Sequence, residues 1–246
     1  MSYVISTSYG NDSMALALWA HEQGLEDVTC VYIDTGWAAS SWPLRVNKCE
    51  DMLKELGINV ARIHSGGMAE MVLDRKGFPS NQHQFCTAFL KGIPFLDWIE
   101  DFDPVRSAMV MIGKRRAESE DRKDIPEFIF NSEYHGGRTL WHPLYMHTKT
   151  ERNVILNKYG VEILSHRSDE CHPCVNANRP DFLRLTPGEI ERVNDLEVEI
   201  ARPMFRPKRF GAMGIHGVVA WAKDGRKRGS IEDEEHACAG FFGCGL

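Results

Sequence analysis

A strand–turn–helix unit at the start of the chain constrains the fold most. The apolar run Tyr3-Val4-Ile5 leads into Ser8-Tyr9-Gly10-Asn11-Asp12-Ser13, and Met14-Ala15-Leu16-Ala17-Leu18-Trp19-Ala20 follows. This predicts a strand over 3–6, a tight polar turn, and a helix over 13–23 with Asp12 or Ser13 as N-cap. Such a turn sets several backbone N–H groups and two serine hydroxyls at a helix N-terminus, where an anion is favoured. Residues 28–33 are β-branched and nearly all apolar, as parallel strands covered on both faces are. Residues 41–56 read as a helix ended by Gly57, and 58–63 as a third strand. Strands and helices alternating at this spacing require right-handed crossovers, hence an α/β fold: a parallel sheet with helices on both faces.

Residues 105–112 fit a fourth strand, after which Gly113 opens a basic turn. Further on the pattern loosens. A short strand is expected over 139–141, and helices over 149–159, 188–201 (with Pro187 near its start) and 214–222. The end of the chain is charged, then rich in glycine and cysteine. The organisation expected is an α/β domain over 1–135 and an irregular, helical, cysteine-containing region over 136–246, which can equally be continuous with the first.

With 246 residues, 43% hydrophobic and 26% charged, the chain can bury one α/β core of ordinary size. A formal charge of −6 gives no support for a surface that coats nucleic acid. No apolar run approaches the roughly 18 residues of a membrane helix, and no basic-then-apolar signal opens the chain. The expected compartment is the cytoplasm, without a membrane partner. There, the seven cysteines point to metal or redox chemistry rather than disulfide staples.

Neither G-x-x-x-x-G-K-[ST] nor G-x-G-x-x-G occurs, so two common phosphate fingerprints are absent. The residues of 8–13 are also ordinary turn formers. In order, however, they resemble the S-G-G-x-D-S pyrophosphate loop of the adenine-nucleotide α-hydrolase superfamily. Ser8, Gly10, Asp12 and Ser13 are on pattern, Tyr9 replaces the first glycine, and Asn11 stands where several members carry lysine. Asp34-Thr35-Gly36 follows the second strand, Cys86 to Pro94 comes next, Gly113-Lys114-Arg115-Arg116-Ala117-Glu118-Ser119 with Arg122 follows the fourth strand, and Cys171-His172-Pro173-Cys174 comes late. Together, over about residues 3–200, these resemble the phosphoadenosine-phosphosulfate reductase-like branch, with its Rossmann-like fold.

That resemblance implies an adenine nucleotide held by Ser8, Tyr9, Gly10, Asn11, Asp12, Ser13, Asp34, Gly113, Lys114, Arg115 and Arg116. Asp12, Arg115 and Lys91 are the catalytic candidates. Arginine forks suit phosphate oxygens. Mg²⁺ would accompany ATP, held near Asp12 or Asp34. Read as plain residues, 114–123 is equally a solvated charged face, and Asp34 a capping aspartate.

Members that carry an iron–sulfur cluster use a Cys-Cys pair and a later C-x-x-C. Here Cys86 is present with Phe85 in its neighbour's place, and Cys171 and Cys174 complete three ligands. The fourth would come from Cys238, from Cys244 or from a non-protein ligand. A [4Fe–4S] cluster, zinc, and reduced thiols without metal all remain open. Cys30 and Cys49 read as core fillers. His142 and His147 read as structural, and His172 as solvent-facing or supporting.

Three functions follow. One is ATP cleavage to AMP or an adenylate plus pyrophosphate, with a small molecule, nucleic acid or protein as acceptor. The second is a sulfonucleotide reductase using a C-terminal cysteine. Cys244-Gly245-Leu246 echoes that family's E-C-G-[IL]-H segment, but Gly243 replaces the Glu and no His follows. The third is a non-catalytic nucleotide-binding accessory protein.

Overall fold

The computed structural model describes residues 1–80, 82–205 and 214–224. Cys238, Gly243 and Cys244 lie outside them. Six strands form one sheet in the order β3-β2-β1-β4-β6-β5. These are β1 (Tyr3–Thr7), β2 (Val28–Asp34), β3 (Asn59–His64), β4 (Met109–Met111), β5 (Phe128–Ser132) and β6 (Arg138–Trp141). All neighbours are parallel except β5, which runs antiparallel to β6 at the edge. The chain leaves β1 toward β2 and β3 on one side and returns to β4 on the other. The carboxyl ends of β1 and β4 therefore flank a topological switch point, where open α/β sheets bind ligands.

Strand side chains alternate between two cores. Ile5, Cys30, Tyr32 and Met111 face one side, packed with helices α1 (Asn11–Glu22), α2 (Trp42–Glu55) and α6 (Lys149–Lys158). Val4, Val31, Ile33, Val110 and Ile112 face the other, against Phe95 and Ile99 of α5 (Ile93–Phe102). Burial on both faces is why these strands are apolar throughout. A third core joins α3 (Met68–Arg75), α7 (Arg179–Leu183), α8 (Pro187–Glu199) and α9 (Gly214–Lys223) around Trp37, Val72, Leu90, Val193 and Ile215. The short α4 (Phe85–Thr87) runs into a π-helical turn, Ala88–Gly92, and then into α5.

The sheet expected from sequence forms, with differences that have physical causes. Helix α1 starts at Asn11 with Gly10 as N-cap and no capping side chain, not at Ser13 behind an aspartate or serine cap. The fourth strand is only Met109–Met111, because the Asp103 carboxylate accepts the amides of Ser107 and Ala108 and holds 103–108 as a turn. The boundary expected near 135–140 falls between β5 and β6, which pair with each other, and α6 packs on α1. No helix among the described residues is long and apolar enough to cross a membrane.

Candidate functional site

The turn between β1 and α1 is built from beneath by Tyr9. Its backbone is left-handed (φ 56°), which turns the ring inward to full burial against Tyr32, with centroids 5.5 Å apart. The Tyr9 hydroxyl donates to Glu50 Oε1 (3.3 Å), a carboxylate that also takes Arg62 through Nε (2.7 Å) and Nη2 (2.8 Å). Arg45 Nε donates to the Tyr9 carbonyl at 2.8 Å. The tyrosine that replaces a glycine of the expected loop thus anchors the turn and leaves its outer side to Ser8, Gly10 and Ser13. Ser8 Oγ accepts the Gly10 amide (3.3 Å) and lies 3.5 Å from Ser13 Oγ. A helix N-terminus without a side-chain cap and two neighbouring hydroxyls thus meet at the switch point, an arrangement of the kind that favours an anion.

Gly113, at the exit of β4, closes against this turn. A Cβ there would stand 2.7 Å from the Asp12 carbonyl oxygen and 2.9 Å from its carbon, so no larger residue fits. Beyond it, fully buried Arg115 donates from Nε to Asp12 Oδ1 (2.5 Å), and Arg152 of α6 reaches Asp12 Oδ2 at 3.2 Å. The carboxylate of Asp12 is therefore clamped by two guanidiniums, and Arg115 ties the β4 exit to the turn. Arg116 points elsewhere: Nε donates to the Ile125 carbonyl (2.9 Å) and the guanidinium lies over the Tyr145 ring. The charged run that follows is two 3₁₀ turns, Arg116–Glu118 and Glu120–Arg122, joined by an Arg122–Glu118 ion pair. Burial, reinforced by Arg122, lowers Lys114 to about 8. Behind it, burial lowers His135 and His142 to about 4 each, so both rings are neutral near pH 7.

Asp34, at the end of β2, accepts the Gly36 amide through Oδ1 (2.9 Å) and has His64 Nδ1 at 3.6 Å from Oδ2. It stands at the carboxyl end of β2, the neighbour of β1 on the side away from β4.

Cys86, Cys171 and Cys174 line one small cavity of about 20 Å³ with Thr35, Lys91 and Leu90. Lys91 is buried and donates to Glu170 Oε1 at 2.6 Å. Burial alone would lower its pKa; Glu170 and the thiols raise it on balance, so it stays charged. Lys91, expected among the phosphate cations, thus stands with the thiols. The Cys171 thiol hydrogen-bonds to Cys174 and, against burial, brings it down to about 6, while Cys171 itself is raised. Burial raises Cys86. Thr35 Oγ1 is buried at this cavity without a hydrogen-bond partner. Three soft donors suit an iron–sulfur cluster or zinc. Among the described residues, however, no three His, Cys, Asp or Glu side chains stand at metal-ligand spacing.

One segment laces the turn between β1 and α1 to the cysteines. The Asn11 amide pairs with the backbone of Leu164 in both directions (2.8 and 2.9 Å), and Ser168 packs against Gly10. Asn11, expected at the nucleotide, is therefore engaged in holding this segment. The Ala39 amide donates to the Asp169 carbonyl (2.8 Å), Glu170 takes Lys91, and Cys171 follows. His172 is buried, not solvent-facing, with Nδ1 3.4 Å from Asp169 Oδ1 and Nε2 3.8 Å from Glu189 Oε2. Trp37, Glu170 and Arg192 escaped the sequence reading, and Thr35 entered it only within Asp34-Thr35-Gly36; the place of Trp37 directly after that motif was its one signal.

The phosphoadenosine phosphosulfate reductase domain matches residues 2–170. No curated protein matches the sequence. Two solved structures are among those similar to it. One is phosphoadenylyl-sulfate reductase from Candida auris in a phosphate complex, with 14% identity over 66% of this chain and 73% of that one and a TM-score of 0.45. The other is the U34-tRNA thiolase NcsA from Methanococcus maripaludis with its [4Fe–4S] cluster, with 14% identity over 91% and 80% and a TM-score of 0.49.

Proposed function

Because the chain belongs to the phosphoadenosine phosphosulfate reductase domain family, within the adenine-nucleotide α-hydrolase superfamily, we propose that it transfers the sulfo group of an adenosine phosphosulfate, with or without a 3′-phosphate, to a cysteine thiol. The observation that supports this reading is the lacing of the Cys171–Cys174 loop to the turn between β1 and α1 and to the turn after β2, at the carboxyl ends of the strands. Ser8, Gly10, Ser13 and the N-terminus of α1 would take the phosphate, Asp34 the ribose, and Lys114 the outer charge.

The thiolate attacks the sulfur of the sulfo group. The S–O bond to the phosphate breaks, its electron pair leaves with the nucleotide, and S-sulfocysteine forms. A second thiol then attacks the cysteine sulfur, sulfite departs, and a disulfide remains. Cys244 is the nucleophile that the family resemblance points to; Cys174, whose thiol takes a hydrogen bond from Cys171, is the second candidate, among the described residues. Cys86, Cys171 and Cys174, with Cys244, are the residues that the family resemblance would assign to a [4Fe–4S] cluster or zinc; as the first three stand, they are not at metal-ligand spacing, and no step of the transfer passes through such a group.

The test is incubation with phosphoadenosine phosphosulfate labelled in its sulfo sulfur, in the presence of a dithiol. Labelled sulfite and a trapped S-sulfo peptide support the reading, and Cys244→Ser and Cys174→Ser identify the nucleophile. A nucleotide left intact rejects it. The second reading, cleavage of Mg²⁺-bound ATP to an adenylate and pyrophosphate, is favoured by Gly243 where the reductases carry glutamate. Pyrophosphate release from ATP in the same assay would establish it.

A further inference from the structure

Trp37 joins the two halves of the site through two hydrogen bonds. Its carbonyl accepts the amide of His172 (2.8 Å) and its Nε1 donates to the Pro173 carbonyl (3.0 Å), so it grips the C-x-x-C loop from both edges. The ring is fully buried, in the helical core rather than in either sheet core. Arg192 of α8 lies over that ring at 4.2 Å and bridges the same partners, donating to the carbonyls of His172 (2.6 Å) and Ala38 (3.3 Å). Glu189, one turn earlier, accepts the Ser40 amide at 3.0 Å. On its other side, the turn is fixed by Asp34 accepting the Gly36 amide and by Thr35 accepting the Met68 amide (2.9 Å).

We propose that Trp37 is a positioning residue that sets the Cys171–Cys174 loop in register with the nucleotide-facing turn after β2, so that a nucleotide held at that turn orders the cysteine loop as well. This rests on the reading of the crevice as a nucleotide site. Coupling of this kind needs a rigid connection between the two segments. The bonds above supply it directly, without passing through the sheet. The large indole is used because it reaches across to Pro173 with a donor while its face carries the Arg192 guanidinium.

Hydrogen exchange read by mass spectrometry tests this on the full chain. Trp37→Phe keeps a ring under Arg192 and removes the indole N–H. In the ligand-free protein it should speed exchange over residues 169–176 about tenfold, the weight of one lost hydrogen bond, with β1 and α1 unchanged. Arg192→Lys, which removes the bridge to His172 and Ala38, should act in the same direction. Phosphoadenosine phosphosulfate should slow exchange over residues 34–40 equally in wild type and in Trp37→Phe, but over 169–176 less in Trp37→Phe than in the wild type. Unaltered exchange at 169–176 in both ligand-free variants overturns the proposal. So does a uniform increase through β1 and α1, which would make Trp37 a general packing residue. Absence of protection in the wild type as well overturns the nucleotide reading instead, and the ligand-free comparison then decides the role of Trp37.

Discussion

Arg115 and Asp12 form a buried ion pair, Nε to Oδ1 at 2.5 Å, between the exit of β4 and the first turn of α1. Arg115 is 1% exposed, while the Asp12 side chain keeps 25%. Removing one partner of a buried pair leaves the other charge without compensation, at a cost of about 3–5 kcal/mol. Asp12→Asn removes the carboxylate that two guanidiniums share, whereas Arg115→Ala leaves Asp12 its bond from Arg152, so Asp12→Asn should destabilise more, by about 1 kcal/mol or more, in urea unfolding. Equal losses would place the pair outside the core's energetics.

Gly113 has no room for a methyl group, because what it would meet is backbone. Gly113→Ala should cost about 1–3 kcal/mol, pushing the β4 exit away from α1, and weaken phosphate binding with it. Gly188, in the first turn of α8, meets nothing within 4 Å. Gly188→Ala should instead add about 0.5–1 kcal/mol. Thermal unfolding of the two variants should move in opposite directions.

Tyr9→Phe keeps the buried ring and removes one hydrogen bond to Glu50, which retains both bonds from Arg62. A loss of about 1 kcal/mol is expected, with nucleotide affinity little changed. Tyr9→Ala, which leaves a cavity under the turn, should cost about 3–5 kcal/mol and reduce binding. Titration calorimetry alongside unfolding separates the two effects. A large affinity loss in Tyr9→Phe would mean that the hydroxyl serves the ligand.

The pH dependence follows from His135 and His142, both lowered by burial to about 4 from the ordinary 6.5. Between these values the unfolded chain binds more protons than the folded one, so stability is complete above pH 6.5 and falls as the pH drops toward 4. His142 Nδ1 meets the Pro126 carbonyl at 2.8 Å, and its Nε2 is buried without a partner, so the folded ring has no acceptor waiting for a second proton. His142→Gln should flatten this slope in unfolding curves taken from pH 7 to pH 4.5. An unchanged slope would assign the acid sensitivity to other groups.

Metal content is a further check. Any iron or zinc that copurifies under anaerobic conditions should be lost in Cys174→Ser and retained in Cys30→Ser, since Cys30 lies in the sheet core and Cys174 in the shared cavity. Retention in both would place the metal elsewhere.

The parallel sheet and the approximate positions of α1, α2, α6 and α8 were legible because local patterning decides them: apolar β-branched runs, polar turns, and a proline just inside α8. The convergence of Cys86 with Cys171 and Cys174 was also legible, through resemblance. What local patterning does not carry was missed. The β5 edge strand exposes Ile129 and Phe130 and has no period-2 signal that separates it from a loop. Residues 105–108, continuous with the apolar run after them, read as strand until Asp103 captures the amides of Ser107 and Ala108. Asn11 and Leu164 pair across 153 positions, and nothing near either residue announces the other. Lys91 and Arg116 are cations in suitable motifs, but Glu170, far along the chain, and the Ile125 carbonyl decide where they point.

The inward-facing ring of Tyr9 has a bearing on how such loops are sought. A search built on consecutive glycines would pass over this chain, although an aromatic residue here does the work of a foundation post under the bend. The more general requirement is a position that tolerates a left-handed backbone and has interior space beneath it, followed by one residue small enough to admit an overlying strap.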